Sequence, residues 1–130
     1  SDMMLLYFPA GLCSRKQNGK IIDLEWKNTF VKKSILYLRD IIPAHVNGRN
    51  SNFFYNLANL RKRLGIHANI EMFFLVDEMY KQRNKEIIIT FGKPVSHKVF
   101  DKRYKINEWA ERIKTHVYAL GKDSNAAFEF

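Results

Sequence analysis

The sequence predicts an α/β fold, a mainly parallel sheet with flanking helices. Three observations carry this expectation. Residues 3–8 form a short, continuously apolar run with the content of a strand buried on both faces, residues 41–46 are again short and apolar, and residues 86–91 read as a strong strand. A helix-periodic stretch of connecting length separates the first two runs, which is the pattern of a βαβ unit. Near the end of the chain, Ile106, Trp109, Ala110, Ile113, Val117 and Leu120 recur with helical period, the clearest amphipathic helix in the sequence. With 130 residues, a single domain with one core is the natural expectation.

The elements follow in order. Residues 3–8 read as the first strand, stopped by Pro9 and Gly11. Residues 14–20 read as a basic surface loop with a turn signal at Asn18-Gly19. Asp23 is positioned to cap a helix over 25–38, in which Phe30, Val31, Ile35 and Leu38 face the core. Ile41-Ile42-Pro43-Ala44-His45-Val46 reads as a second strand. Pro43 lacks an N–H, so this strand is an edge, irregular, or turned toward a ligand there. A polar loop leads to a helix over 53–64, where Arg61, Lys62 and Arg63 complement the C-terminal dipole and Gly65 stops the turn. Asn69 starts a further helix to about residue 82. Its apolar residues nearly encircle it, so it is expected to be mostly buried, or to face a membrane or a further part of the protein. The strand at 86–91 ends at Gly92-Lys93-Pro94, the last helix covers 106–120, and residues 122–130 read as a frayed tail.

The formal net charge of +9 favours an anionic partner: nucleic acid, anionic lipid headgroups, an acidic carrier protein or a phosphorylated ligand. No apolar run approaches the roughly 20 residues that span a bilayer, and no signal peptide is evident. The protein is therefore expected to be soluble or peripheral to a membrane surface. Cys13 is the one cysteine, which excludes an internal disulfide, and no Cys/His spacing suggests a metal. No metal or cofactor is expected.

Catalytic patterns are sparse. Each of His45, His67, His97 and His116 is more readily a structural or solvated histidine than a base. Ser14 lies outside any nucleophile-elbow pattern, and the glycine-rich phosphate motifs are absent. Asp77-Glu78 reads as decoration of a helix face. The stretch Phe8-Pro9-Ala10-Gly11-Leu12-Cys13-Ser14-Arg15 stands out instead, because an apolar run there delivers small and basic groups to a loop, as phosphate-sized ligands require.

That stretch resembles the third block of the glycerolipid acyltransferases, the lysophosphatidate acyltransferase-like superfamily. Ile41-Ile42-Pro43-Ala44 is similar to the fourth block, and Phe91-Gly92-Lys93-Pro94-Val95 to the end of the same domain. Asp23-Leu24-Glu25-Trp26-Lys27, Gly48-Arg49-Asn50-Ser51-Asn52-Phe53-Phe54-Tyr55 and Asn59-Leu60-Arg61-Lys62-Arg63-Leu64 resemble a branch from Bacteroides-type bacteria. Its members are often labelled hemolysins and are related to acyltransferases of amino-acid-based lipids. The resemblance implies the C-terminal part of a glycerolipid-acyltransferase-like domain, with residues 1–130 forming one partial domain. It also implies an acyl carrier protein or acyl-CoA thioester donor, a lipid acceptor, and an anionic membrane at the cytoplasmic face of the inner membrane.

The family's chemistry needs a His-x4-Asp pair, in which histidine is the general base and aspartate orients it. Here the residues five after the four histidines are Asn50, Met72, Lys102 and Gly121, so this chain is expected to carry no catalytic residue. The resemblance assigns acceptor binding to Phe8, Pro9, Gly11, Ser14 and Arg15, supported by Pro43, His45 and Arg49. The family glutamate, threonine and arginine of the block are here Ala10, Leu12 and Cys13. A cysteine cannot fork onto phosphate, which counts against a glycerol-phosphate acceptor and is compatible with an amino-acid-lipid one. The missing catalytic pair also predicts uncovered apolar surface. A basic α/β nucleic-acid-binding or interaction module is the alternative reading, although no recognised RNA-binding strand motif supports it.

Overall fold

The computed structural model describes residues 4–130. The chain is α/β, but the sheets are small and antiparallel. Strands β1 (Arg15–Gln17) and β2 (Lys20–Ile22) are followed by helix α1 (Thr29–Tyr37), strand β3 (Ala44–Asn47) and helix α2 (Asn52–Arg63). A 3-10 segment (Ile70–Phe74) runs into α3 (Leu75–Lys81), then come β4 (Ile88–Phe91), a 3-10 turn (His97–Val99) and α4 (Ile106–Leu120).

Strands β1 and β2 form a hairpin with Arg15 opposite Ile22 and Gln17 opposite Lys20. Its two-residue turn places Asn18 at φ 48° and Gly19 at φ 77°. Two consecutive positive φ values match the twist of the hairpin, which is why Asn-Gly suits the position. The turn signal was legible, whereas the flanking residues pair as strands where a loop is expected.

The expected parallel sheet is not formed among the described residues. Strand β3 pairs antiparallel with β4, Ala44 opposite Phe91 and Asn47 opposite Ile88, and Ile41 bridges Val95. Residues 4–8 hold no strand, and Met3 lies outside the described residues, so the βαβ unit is also absent. The reason is physical. An apolar run records burial tendency, not strand direction, and these runs are only partly buried: Val46, Ile88, Ile89 and Phe91 are exposed. Pro43 sits just outside β3, where its carbonyl accepts from the Gly92 N–H at 2.8 Å and no donor is required of it.

Helix α1 starts later than periodicity suggests, with Asn28 before its first turn. Asp23 does not cap it. The Asp23 carboxylate accepts from Trp26 Nε1 at 3.1 Å, and its backbone N–H donates to the Tyr118 hydroxyl at 2.9 Å. Helix α4 matches the expected 106–120 span. The Lys105 N–H donates to the Glu108 carboxylate at 2.6 Å, fixing the first turn. Trp109, Ala110, Ile113 and Val117 from α4 meet Phe30 and Val31 from α1, with Val95 and Phe100 closing the core. Residues 122–130 form no helix or strand, yet Phe128 packs on the His116 ring at 5.4 Å and joins the rim of this core.

The segment at 70–81 is turned inside out. The expected burial of its apolar residues does not occur: Phe73 is 86% exposed, and Val76, Met79 and Tyr80 are exposed beside it. The fully buried residues are acids instead, Glu71 at 0% and Glu78 at 1%. Buried carboxylates persist only when paired and hydrogen-bonded, and both of these are.

Candidate functional site

The site is built where the Phe8–Arg15 block lies over α2. Gly11 donates its N–H to the Phe8 carbonyl at 3.1 Å, closing a tight turn. Gly11 sits at φ 68°, a backbone state that a side chain disfavours. The Lys27 N–H donates to the Pro9 carbonyl at 3.0 Å, pinning the turn from behind. Phe8 projects outward, 74% exposed.

After the turn the chain dives inward. Ser14 Oγ lies 3.4 Å from the Tyr55 hydroxyl, which also accepts the Asn50 N–H at 3.1 Å. Arg15 is buried at 8% exposure. Its guanidinium donates to the Cys13 carbonyl at 2.8 Å and to Glu71 Oε1 at 2.8 Å, and it stands over the Phe54 ring at 5.8 Å. Arg61 grips the same carboxylate, with Nε to Oε2 at 2.8 Å and an Nη2 contact to Oε1 at 3.3 Å. Its remaining Nη1 donates to the Ile66 carbonyl at 2.8 Å. Glu71 thus joins the hairpin, the end of α2 and the loop beyond it through one buried triad.

A cavity of about 140 Å³ opens beside this triad. Its cationic wall is Arg15, Arg61 and Lys62, and Leu12, Leu24 and Ala58 supply an apolar one. Leu12 directly follows the Gly11 turn, so the sequence-predicted block and the cavity are continuous.

Glu78 performs the parallel task at the other end of α2. Its carboxylate accepts from the Ser51 hydroxyl at 2.6 Å, from the Ser51 N–H, and from Lys81 Nζ at 3.0 Å. Burial would raise this carboxyl, but the hydrogen bonds from Ser51 and Lys81 outweigh it and hold it below the usual carboxylate range. Ser51 in turn caps α2 by accepting the Phe54 N–H at 3.3 Å.

The other expected residues lie elsewhere. Pro43 and His45 pack against the end of α4, where the His45 ring stacks edgewise on Tyr118 at 6.5 Å and occupies the space beside Gly121. Arg49 lies before α2, donating to the Asn52 side chain at 2.9 Å. Of the expected residues the cavity lining therefore contains Arg15, with Gly11 and Ser14 adjoining it in the block, whereas Pro43, His45 and Arg49 lie outside the lining. Sequence reasoning missed Glu71, Arg61 and Lys62 as site residues. The signal for the first was present: Glu71 and Glu78 are one heptad apart and so share a helical face.

The arrangement is a phosphate- or carboxylate-sized cationic recess behind a glycine turn, with no general base in its wall. A family model described as acyltransferase matches residues 1–127. The chain belongs to this acyltransferase family. Among curated proteins it is similar to a lyso-glycine lipid O-acyltransferase of Bacteroides thetaiotaomicron, 57% identical over 120 residues. A protein of the same name from Phocaeicola vulgatus is 55% identical over 120 residues. Each alignment covers 92% of this chain, which spans 44% and 43% of those relatives' lengths. No solved structure matches the chain.

Proposed function

We propose that this chain serves lipid acyl transfer, holding the acceptor while an acyl group moves from a thioester donor to an acceptor hydroxyl. The acceptor is a lyso-glycine lipid or a close amino-acid-lipid relative, and the donor is an acyl carrier protein or acyl-CoA thioester. The observation that carries this reading is the meeting of the Phe8–Arg15 block with a cationic cavity in a chain 57% identical to a lyso-glycine lipid O-acyltransferase. The net charge of +9 complements an acidic carrier protein. The proton on the attacking hydroxyl needs a base, and this sequence supplies no His-x4-Asp pair. A chimera tests the reading. This chain replaces the matching segment of the Bacteroides thetaiotaomicron relative, and O-acylation of a lyso-glycine lipid is measured. The chimera is expected to be active and the 130-residue chain alone inactive. A folded but inactive chimera, or turnover by the chain alone, overturns this division of labour.

The reaction is proposed to take place at an anionic membrane surface, at the cytoplasmic face of the inner membrane. Support comes from the outward apolar group of Phe73, Val76, Met79 and Tyr80, joined by Phe53, which stacks on Phe74 at 5.2 Å. Among the described residues no helix is long and apolar enough to cross a membrane. Exposed aromatics with a basic net charge suit the headgroup boundary of an anionic bilayer. Co-sedimentation is expected with phosphatidylglycerol vesicles and not with phosphatidylcholine vesicles. Phe73→Asp is expected to weaken it about tenfold, since inserting one phenylalanine is worth roughly 1.5–3 kcal/mol. Equal binding to both vesicles, or indifference to Phe73→Asp, removes this surface from consideration.

A further inference from the structure

His116 is the one buried histidine among the described residues, at 5% exposure, and acyl transfer as read above makes no use of it. It lies on α4, whose other buried residues, Trp109, Ala110, Ile113, Val117 and Leu120, are all apolar. Its ring meets the chain just past β4. A Cβ added to Gly92 would come within 3.3 Å of His116 Nε2, 2.7 Å of Leu120 and 2.9 Å of Pro43, so the chain approaches this closely only as glycine. The Phe128 ring also stands edgewise to the imidazole, with centroids 5.4 Å apart and planes at 71°.

Phe128 reaches His116 because the chain reverses after α4. The Lys122 and Asp123 N–H groups both donate to the Ala119 carbonyl at 2.9 Å. The Asn125 N–H donates to the Asp123 carboxylate at 2.9 Å, and the Ala126 N–H to the Asp123 carbonyl at 3.0 Å. Beyond these local bonds the segment is fastened by its aromatic rings. Phe128 is partly buried against the core and His116, and Phe130 stacks on Phe128 at 5.6 Å while remaining 65% exposed. The Glu129 carbonyl accepts from Arg112 Nη1 at 3.5 Å, which is long for a hydrogen bond. One phenyl ring on one imidazole thus carries most of the attachment.

We propose that residues 122–130 form a strap over α4 that is closed at neutral pH and released when His116 takes up a proton. The strap stands on this packing and is independent of the acyl-transfer reading. Burial opposes an imidazolium at this position and pushes the His116 pKa below its ordinary value. The charged groups around it are turned elsewhere. Arg112, one turn earlier on α4, donates to the Tyr104 hydroxyl at 2.6 Å and to the Glu129 carbonyl. Lys93 beside Gly92 is exposed, as are Lys122, Asp123 and Glu129 of the strap, and His45 of β3 lies against Gly121 beyond the helix end. Above a pH of about 6.5 His116 is neutral whether the strap is closed or open, and closure has its full strength. As the pH falls through that range the open state binds the proton more readily, and closure weakens. Release uncovers Phe128 and adds a positive charge to this face of α4.

The test is a nuclear magnetic resonance titration of the 130-residue chain from about pH 7.5 to about pH 5.5. It follows the His116 ring protons and the amides of residues 124–130, with the α4 amides reporting that the fold persists. The ratio of closed to open strap is expected to fall about threefold or more across this range. Phe128→Ala is expected to open the strap at both ends of the range and to raise the titration midpoint of His116, because each partner biases the other. His116→Phe keeps a ring against Phe128 without a titrating group, and its strap is expected to stay closed throughout. A strap that stays closed at the acid end, or a His116 midpoint unmoved by Phe128→Ala, would overturn the proposal. Release in a folded His116→Phe chain over the same range would assign the titration to another group, His45 included, and overturn it equally. If His116→Phe does not fold, the comparison of Phe128→Ala with the parent chain decides.

Discussion

Glu71→Ala is expected to lower the unfolding free energy by about 3–5 kcal/mol, the range for removing one partner of a buried ionic cluster. The loss comes from what remains. Arg15 and Arg61, exposed by 10% and 13% at their side chains, would face each other without the carboxylate between them. The hairpin, the end of α2 and the following loop lose their common anchor in the same step. For a domain of this size the change corresponds to roughly 10–20 °C in thermal midpoint, which calorimetry reads directly. Glu71→Gln is expected to fall in between, because the amide keeps the shape and one acceptor but not the charge. A Glu71→Ala midpoint within a few degrees of the parent would show that the triad contributes little.

Trp109→Ala is expected to cost about 3–5 kcal/mol by a different route, through a cavity in the core. Trp109 is 1% exposed and stacks edgewise on Phe100 at 5.5 Å and Tyr104 at 4.9 Å. Its Nε1–H donates to the Asp101 carbonyl at 3.1 Å, so truncation also leaves that carbonyl without its donor. Trp109→Phe retains most of the apolar volume and isolates the hydrogen bond, expected at about 1 kcal/mol. Denaturant unfolding of the two variants separates the terms. If both lose the same amount, packing around the indole is not the main contribution.

Legibility differed between elements for identifiable reasons. Helix α4 was readable to its ends because one continuous stripe, from Ile106 to Leu120, meets one core. Strand direction was not readable. Ile41-Ile42 and the 86–91 run look alike in any sheet, and their antiparallel pairing depends on where two intervening helices deliver the chain. The segment at 70–81 misled because counting apolar residues passed over Glu71, and because Glu78, read with Asp77 as decoration of a helix face, is buried while Asp77 is exposed. Glu71 and Glu78 share a helical face, but beside the near partners Arg61 and Lys81 each is also held by a distant one, Arg15 and Ser51, 56 and 27 residues away in sequence. The site was half readable: the Gly11 turn and Arg15 were visible as a block, whereas Arg61 and Lys62 read as complements of the helix dipole. Only the shared carboxylate reveals what they line.

The cavity wall at Leu24 has a further property, which concerns order of synthesis. Lys114 Nζ donates to the Leu24 carbonyl at 3.3 Å, and the Tyr118 hydroxyl accepts the N–H of neighbouring Asp23 at 2.9 Å. Both contacts come from α4, made about ninety residues after the wall they hold. On the ribosome, where chains tend to acquire structure from the N-terminus onward, the Gly11 turn and the hairpin can close by local contacts. Leu24 cannot be set until the last helix has emerged. The recess therefore acquires its final shape after the elements on its other side, and its closure reports that this stretch of chain has been translated through α4.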